Sequence, residues 1–147
     1  MSATYKADFN LWIEQTTQLL RSHRWHEVDV KHLIEEVEGL GKSEQRAIAS
    51  QLTRLLLHLL KWQYQPQRRS DRWLDSITDS RTQIELAIED SPSLKSYPTE
   101  QLEESYQRAR HQAAKQTGIL ISVFPEECPY SLELVLDEDW LLEVSDI

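Results

Sequence analysis

Apolar residues recur along most of this chain at three- and four-residue steps, the spacing of one face of an α-helix. Phe9, Trp12, Ile13, Thr16, Leu19 and Leu20 predict a first helix over about Lys6 to His23. A short link, Arg24 to Val28, carries Trp25. Asp29 is placed to cap a second helix, Val30 to Leu40, with Val30, Leu33, Ile34, Val37 and Leu40 on one side and His32, Glu35, Glu36 and Glu38 on the other. Gly39 and Gly41 are expected to end it, since glycine adopts the left-handed C-cap conformation without penalty. Ser43 would then cap a third helix. Its face of Ile48, Leu52, Leu55, Leu56, Leu59 and Leu60 is the most apolar in the protein, and beside it runs a polar seam of Gln51, Arg54, His58, Lys61 and Gln65. Pro66 stops this helix at Gln65.

Ser70 is a natural N-cap for a fourth helix, about Asp71 to Glu89, with Trp73, Ile77, Ile84 and Ile88 turned inward. Ser91-Pro92 ends it and opens a short turn. Thr99 is placed to cap a fifth long helix, about Glu100 to Thr117, carrying Leu102, Tyr106, Ala109 and Ala113 on one side and stopped by Gly118. Ile119 to Phe124 is apolar, either extended or a packed loop; Leu132 to Leu136 predicts one more turn or two. The expectation is an all-α, compact single-domain bundle of about five long helices over residues 1–147. A C-terminal segment packs over it, residues 1–5 and 142–147 fray, and Trp12, Trp25, Trp62 and Trp73 sit at helix crossings.

Composition agrees with helix: Gly is limited to 3 residues and Pro to 5. With 16 Lys and Arg against 25 Asp and Glu, the net charge of −9 works against a general nucleic-acid binder. Cys128 is the single cysteine, so no intrachain disulfide is available. The first residues lack the layout of a signal peptide, and the apolar runs are far short of the ~20 residues that span a bilayer. These features lead to the expectation of a cytoplasmic protein without a membrane partner.

With the chain laid out, it resembles a bacterial, largely cyanobacterial, family known as domain of unknown function 29. The resemblance rests on Tyr5-Lys-Ala-Asp-Phe-Asn-Leu-Trp12, on Leu33-Ile-Glu-Glu-Val-Glu-Gly-Leu-Gly-Lys-Ser43, and above all on Leu55-Leu-Leu-His-Leu-Leu-Lys-Trp-Gln-Tyr-Gln-Pro-Gln-Arg-Arg-Ser70 followed by Trp73. Asp90-Ser-Pro-Ser-Leu94 and Phe124-Pro-Glu-Glu-Cys-Pro-Tyr130 complete it. Leu142 stands where the family often has a proline. The resemblance implies an all-helical fold and brings no activity with it.

Four groups of residues carry candidate chemistry. Glu35, Glu36 and Glu38 with His32 offer carboxylates and an imidazole for a divalent cation, or else form a solvated acidic face; no metal is expected. His58, beside Arg54 and Lys61, is the candidate general base if a carboxylate such as Glu35, Glu36 or Asp71 converges on it, or else an edge-of-core histidine bonded to a neighbouring helix. Lys61, Trp62, Tyr64, Arg68, Arg69, Arg72 and Trp73 form a basic, aromatic turn. It suits phosphate contact and base stacking, and it equally suits cation–π contacts and ion pairs with acids of the second helix and the tail. Cys128 lies among carboxylates that raise its pKa and oppose a reactive thiolate. No phosphate-cradling glycine loop, Gly-x-Ser-x-Gly elbow or His-Glu-x-x-His motif is present.

The favoured reading is a non-enzymatic interaction or regulatory module that uses the turn Lys61 to Trp73 on a protein partner and needs no cofactor. The alternatives are a metal-assisted hydrolase or nuclease, with Glu35, Glu36 or Glu38 holding the ion, His58 as base and Arg69 on phosphate, and single-stranded nucleic-acid binding by the turn.

Overall fold

The structure, a computed structural model, describes residues 2–141. It is all-α, with no strand among the described residues. The helices are α1 (Ser2–Ala7), α2 (Phe9–Arg21), α3 (Val30–Tyr64), α4 (Asp71–Asp90), α5 (Tyr97–Thr117) and α6 (Leu132–Leu136). Single 3₁₀ turns at Trp25–Glu27, Pro66–Arg68, Pro92–Leu94 and Ile121–Val123 punctuate the connections. The chain divides into two compact units, Met1–Ser43 and Glu44–Ile147.

The main departure from the sequence expectation is α3. Two helices were expected there, and one helix of 35 residues runs through Gly39, Gly41 and Ser43. Glycine in a helix interior costs only about 1 kcal/mol. Around these two stand Leu40, Lys42, Glu44, Gln45, Arg46 and Ala47, all strong helix formers, and neither glycine has a positive φ. Four long helices therefore replace the five expected. A Cβ built on Gly39 meets nothing within 4 Å. Gly39→Ala is accordingly expected to stabilise the fold by about 1 kcal/mol, read as a higher thermal midpoint by circular dichroism. A lower midpoint would mean the helix needs glycine there.

In the first unit, Asp8 caps α2 by accepting from the Leu11 amide at 3.0 Å. Helix α2 stops at Arg21, two residues earlier than the periodicity suggests. His23 adopts φ +59°, and the amides of His23 and Arg24 donate back to the carbonyls of Leu20 and Leu19. This is a Schellman closure with histidine in the position glycine usually holds. Helix α1 occupies part of the segment expected to fray, while the expectation for 142–147, Leu142 included, lies outside the described residues. Trp12, 3% exposed, and Thr16 are the buried residues of α2, and Trp25, expected at a crossing, is 54% exposed.

The second unit holds the core. Leu52, Leu55, Leu56, Leu59 and Leu60 of α3 are fully buried against Ile77 and Ile84 of α4 and Tyr106, Ala109 and Ala113 of α5. The two alanines let α5 approach closely, and the fully buried Ser80 and Ser105 do the same on α4 and α5. Ser70 caps α4 through the Trp73 amide, as its position suggests. Helix α5 starts earlier than expected, at Tyr97, because Pro98 fits the first turn. Gly118, at φ +77°, closes it. The segment after it resolves into one 3₁₀ turn that seats Phe124, whose ring meets Tyr64 edge-on at 4.9 Å. Ser131 then caps α6, whose Val135 completes the core.

Candidate functional site

The basic, aromatic turn is built from the end of α3, the Pro66–Arg68 turn and the start of α4. Pro66 cannot continue the helix, so the chain reverses and brings Arg69 back over α3. The Arg69 guanidinium lies 4.7 Å above the Trp62 ring, and its Nε donates to the Trp62 carbonyl at 2.8 Å. The Lys61 ammonium sits 5.8 Å from the Trp73 ring, and burial pushes its pKa below the ordinary lysine value. Burial likewise raises the Tyr64 pKa. Five of the seven residues in this constellation are thus engaged within the unit. Arg68 and Arg72 are exposed, and among the described residues no side-chain hydrogen bond or ion pair engages either guanidinium.

This division has a direct consequence. Arg69→Ala is expected to cost about 1–2 kcal/mol in urea unfolding, because it removes a cation–π contact and a hydrogen bond together. Arg68→Ala is expected to change stability by less than about 0.5 kcal/mol. Equal effects would show that the corner does not depend on Arg69.

Among the described residues His58 bonds its own helix rather than a neighbouring one. Its Nδ1–H donates to the Arg54 carbonyl, one turn back on the same helix, at 2.8 Å. Burial lowers its pKa, the hydrogen bond to the Arg54 carbonyl opposes that shift, and the cations of Lys61 and Arg54 reinforce it. No carboxylate is among its partners in the described residues. Arg54 instead pairs with Asp79 of α4 at 2.6 Å and donates to Ser76. Glu36 and its neighbours belong to the first unit and His58 to the second.

The acidic face of α3 has its own arrangement. Asp29 caps the helix as expected, accepting from the His32 amide, and its second oxygen meets His32 Nδ1 at 2.6 Å. That bond holds the Asp29 carboxyl below its usual range. The Tyr5 hydroxyl donates to Glu36 in a short hydrogen bond, and this pairing pushes the Tyr5 pKa up to about 12. The Tyr5 ring stacks on His32 at 4.0 Å and meets Trp12 edge-on at 4.9 Å. Glu35 and Glu38 remain exposed. No group of three or more His, Cys, Asp or Glu side chains converges as metal ligands among the described residues. The Tyr5–Glu36 and Asp29–His32 pairs are structural ties that fix the start of α3.

Two features lie outside the sequence candidates. Arg81 of α4 is only 7% exposed, and its Nε donates to the Val135 carbonyl of α6 at 2.8 Å. The tail acids Asp137 and Glu138 act electrostatically on this arginine and form no ion pair with Arg68, Arg69 or Arg72 among the described residues. Cys128 is partly buried, its thiol pushed up to about 11, chiefly by burial. The carboxylate that adds to the shift is Glu103, which also accepts from the Cys128 amide, rather than the adjacent Glu126 and Glu127. The second feature is the apolar face of the first unit. Phe9, Ile13, Leu20, Leu33, Val37 and Leu40 line a groove of about 320 Å³ between α2 and α3. Val37 is 59% exposed and Leu40 71%.

Together these features define an all-helical protein whose most conspicuous open surface is apolar and whose cationic corner is largely tied into its own fold. No helix among the described residues is long and apolar enough to cross a membrane. The chain belongs to the family described as domain of unknown function DUF29, which it matches over residues 4–141. No curated protein and no solved structure matches it.

Proposed function

We propose that the protein is a non-enzymatic interaction module whose first unit offers an apolar helical face to a protein partner. The observation that carries this reading is where the exposed large apolar side chains lie. Among the described residues, eight belong to the first unit: Phe9, Leu11, Ile13, Trp25, Val30, Ile34, Val37 and Leu40. Four belong to the second, although it is more than twice as long. Contiguous apolar surface on a soluble protein marks an interaction site. A groove between two helices suits the apolar stripe of another helix.

The cationic corner supports a smaller, polar role. Arg68 and Arg72 are open to the carboxylates of a partner. Base stacking is disfavoured there, because Arg69 and Lys61 already cover faces of Trp62 and Trp73 and the net charge is −9.

The test is photo-crosslinking in the native cell, with a benzophenone side chain placed at position 37 or at position 68 of the full chain. Protein adducts from position 37 are the expected result. Adducts from position 68 alone would move the binding surface to the corner, and adducts from neither would overturn the reading.

A further inference from the structure

Helix α3 begins with an apolar stripe that the described residues of its own unit leave more than half exposed. Val30, Ile34, Val37 and Gly41 follow one another at steps of four, three and four, the repeat of a coiled-coil seam. Val30 is 54% exposed and Ile34 52%. Leu33 and Leu40 flank the seam on the side of α2, and Lys31 and Glu38 flank it on the other. Neither Lys31 nor Glu38 takes part in an ion pair among the described residues.

We propose that this stripe docks against the same stripe of a second copy of the chain, in antiparallel register about a two-fold axis between Ile34 and Val37. The proposal rests on the reading of the first unit as a docking face and names its occupant. Self-complementarity is the argument. In that register Ile34 meets Val37 of the other copy, and Val30 meets Gly41, where the missing side chain gives it room. Leu33 falls beside Leu40. Lys31 falls beside Glu38, and two-fold symmetry makes that pair twice. The side chains at the flanking positions of a coiled coil set partner and orientation. A parallel pairing of the same stripe would instead set Lys31 and Glu38 against leucines, which leaves both charges unanswered. Size points the same way. The first unit has about 40 residues and, in α2, buries only Trp12 and Thr16, and units that small usually require a further source of stability such as association. Pairing two hairpins of α2 and α3 supplies it in the form of a four-helix arrangement.

The experiment is sedimentation velocity on the purified full chain at several concentrations. The wild-type protein is expected at twice the 17.3 kDa chain mass. Val37→Glu is expected to weaken self-association on the order of tenfold or more, because it places a carboxylate at the centre of the seam. Lys31→Glu and Glu38→Lys should each weaken it, and the double variant Lys31→Glu with Glu38→Lys should restore it. That recovery does not follow from a folding defect, and circular dichroism checks that helicity is retained in all four variants. A wild-type monomer at every concentration would overturn the proposal, as would a dimer that Val37→Glu leaves intact. A double variant no better than the single ones would overturn the register. If the purified chain is monomeric while position 37 crosslinks to a different protein in cells, the second copy is the wrong occupant and the interaction-module reading stands.

Discussion

Leu56→Ala is expected to destabilise the second unit by about 2–5 kcal/mol, enough to remove much of the stability of an ordinary domain. Leu56 is fully buried midway along the apolar face of α3, with Leu52, Leu55, Leu59 and Leu60 around it and α4 and α5 closing over them. The cost has two parts: lost transfer free energy and the cavity left behind. The cavity should collapse poorly, because Tyr106 on α5 is fixed at its far end by a hydrogen bond from its hydroxyl to the Pro125 carbonyl. Urea denaturation followed by circular dichroism measures the effect. A loss below about 1 kcal/mol would show that the helices can repack around the gap and that this face is less tightly filled than the burial implies.

The second large effect is expected at Arg81. Arg81→Ala should cost about 2–4 kcal/mol, since it deletes a buried side-chain stem and leaves the Val135 carbonyl without its donor. The comparison with Arg81→Met separates the causes. Methionine keeps most of the volume and removes the desolvation cost of the guanidinium, which burial pushes below its ordinary pKa and which has one buried nitrogen, Nη2, without a hydrogen-bond partner among the described residues. Arg81→Met is therefore expected within about 1 kcal/mol of wild type. If both variants are equally unstable, the hydrogen bond to α6 is what matters. If both are near neutral, α6 is held by Val135 and its apolar neighbours alone.

Arg81 also shows where sequence reasoning stops. It stands in a polar run, Ser80-Arg-Thr-Gln83, and its partner is a backbone carbonyl 54 residues further on, so neither periodicity nor charge pattern marks it as interior. The pairing of Tyr5 is hidden in the same way, because Glu36 is 31 residues away. The helices themselves were legible wherever the apolar spacing ran unbroken: the leucine face of α3, Ile77 and Ile84 on α4, and Tyr106, Ala109 and Ala113 on α5 all face the core as their spacing predicts. The junction at Gly39 and Gly41 was misread because glycine raises the cost of a helix without forbidding it, and its neighbours outweighed it. The arginine corner was legible in composition but not in pairing. Which of Arg68, Arg69 and Arg72 turns inward depends on the path after Pro66. The apolar face of the first unit was visible as amphipathic spacing, yet spacing tells which side of a helix is apolar and not whether another element covers it.

The distribution of tryptophans has an optical consequence. Trp12 lies in the interior of the first unit against the rings of Tyr5 and Phe9, whereas Trp62 and Trp73 of the second each carry a cation over the ring. The shielded indole of the first unit therefore sits in an environment unlike those of Trp62 and Trp73. Replacing Trp12 by phenylalanine leaves the first unit with the exposed Trp25, whose emission is already that of an indole in water, so a red shift on unfolding then reports the half-buried Trp62, Trp73 and Trp140 of the second unit.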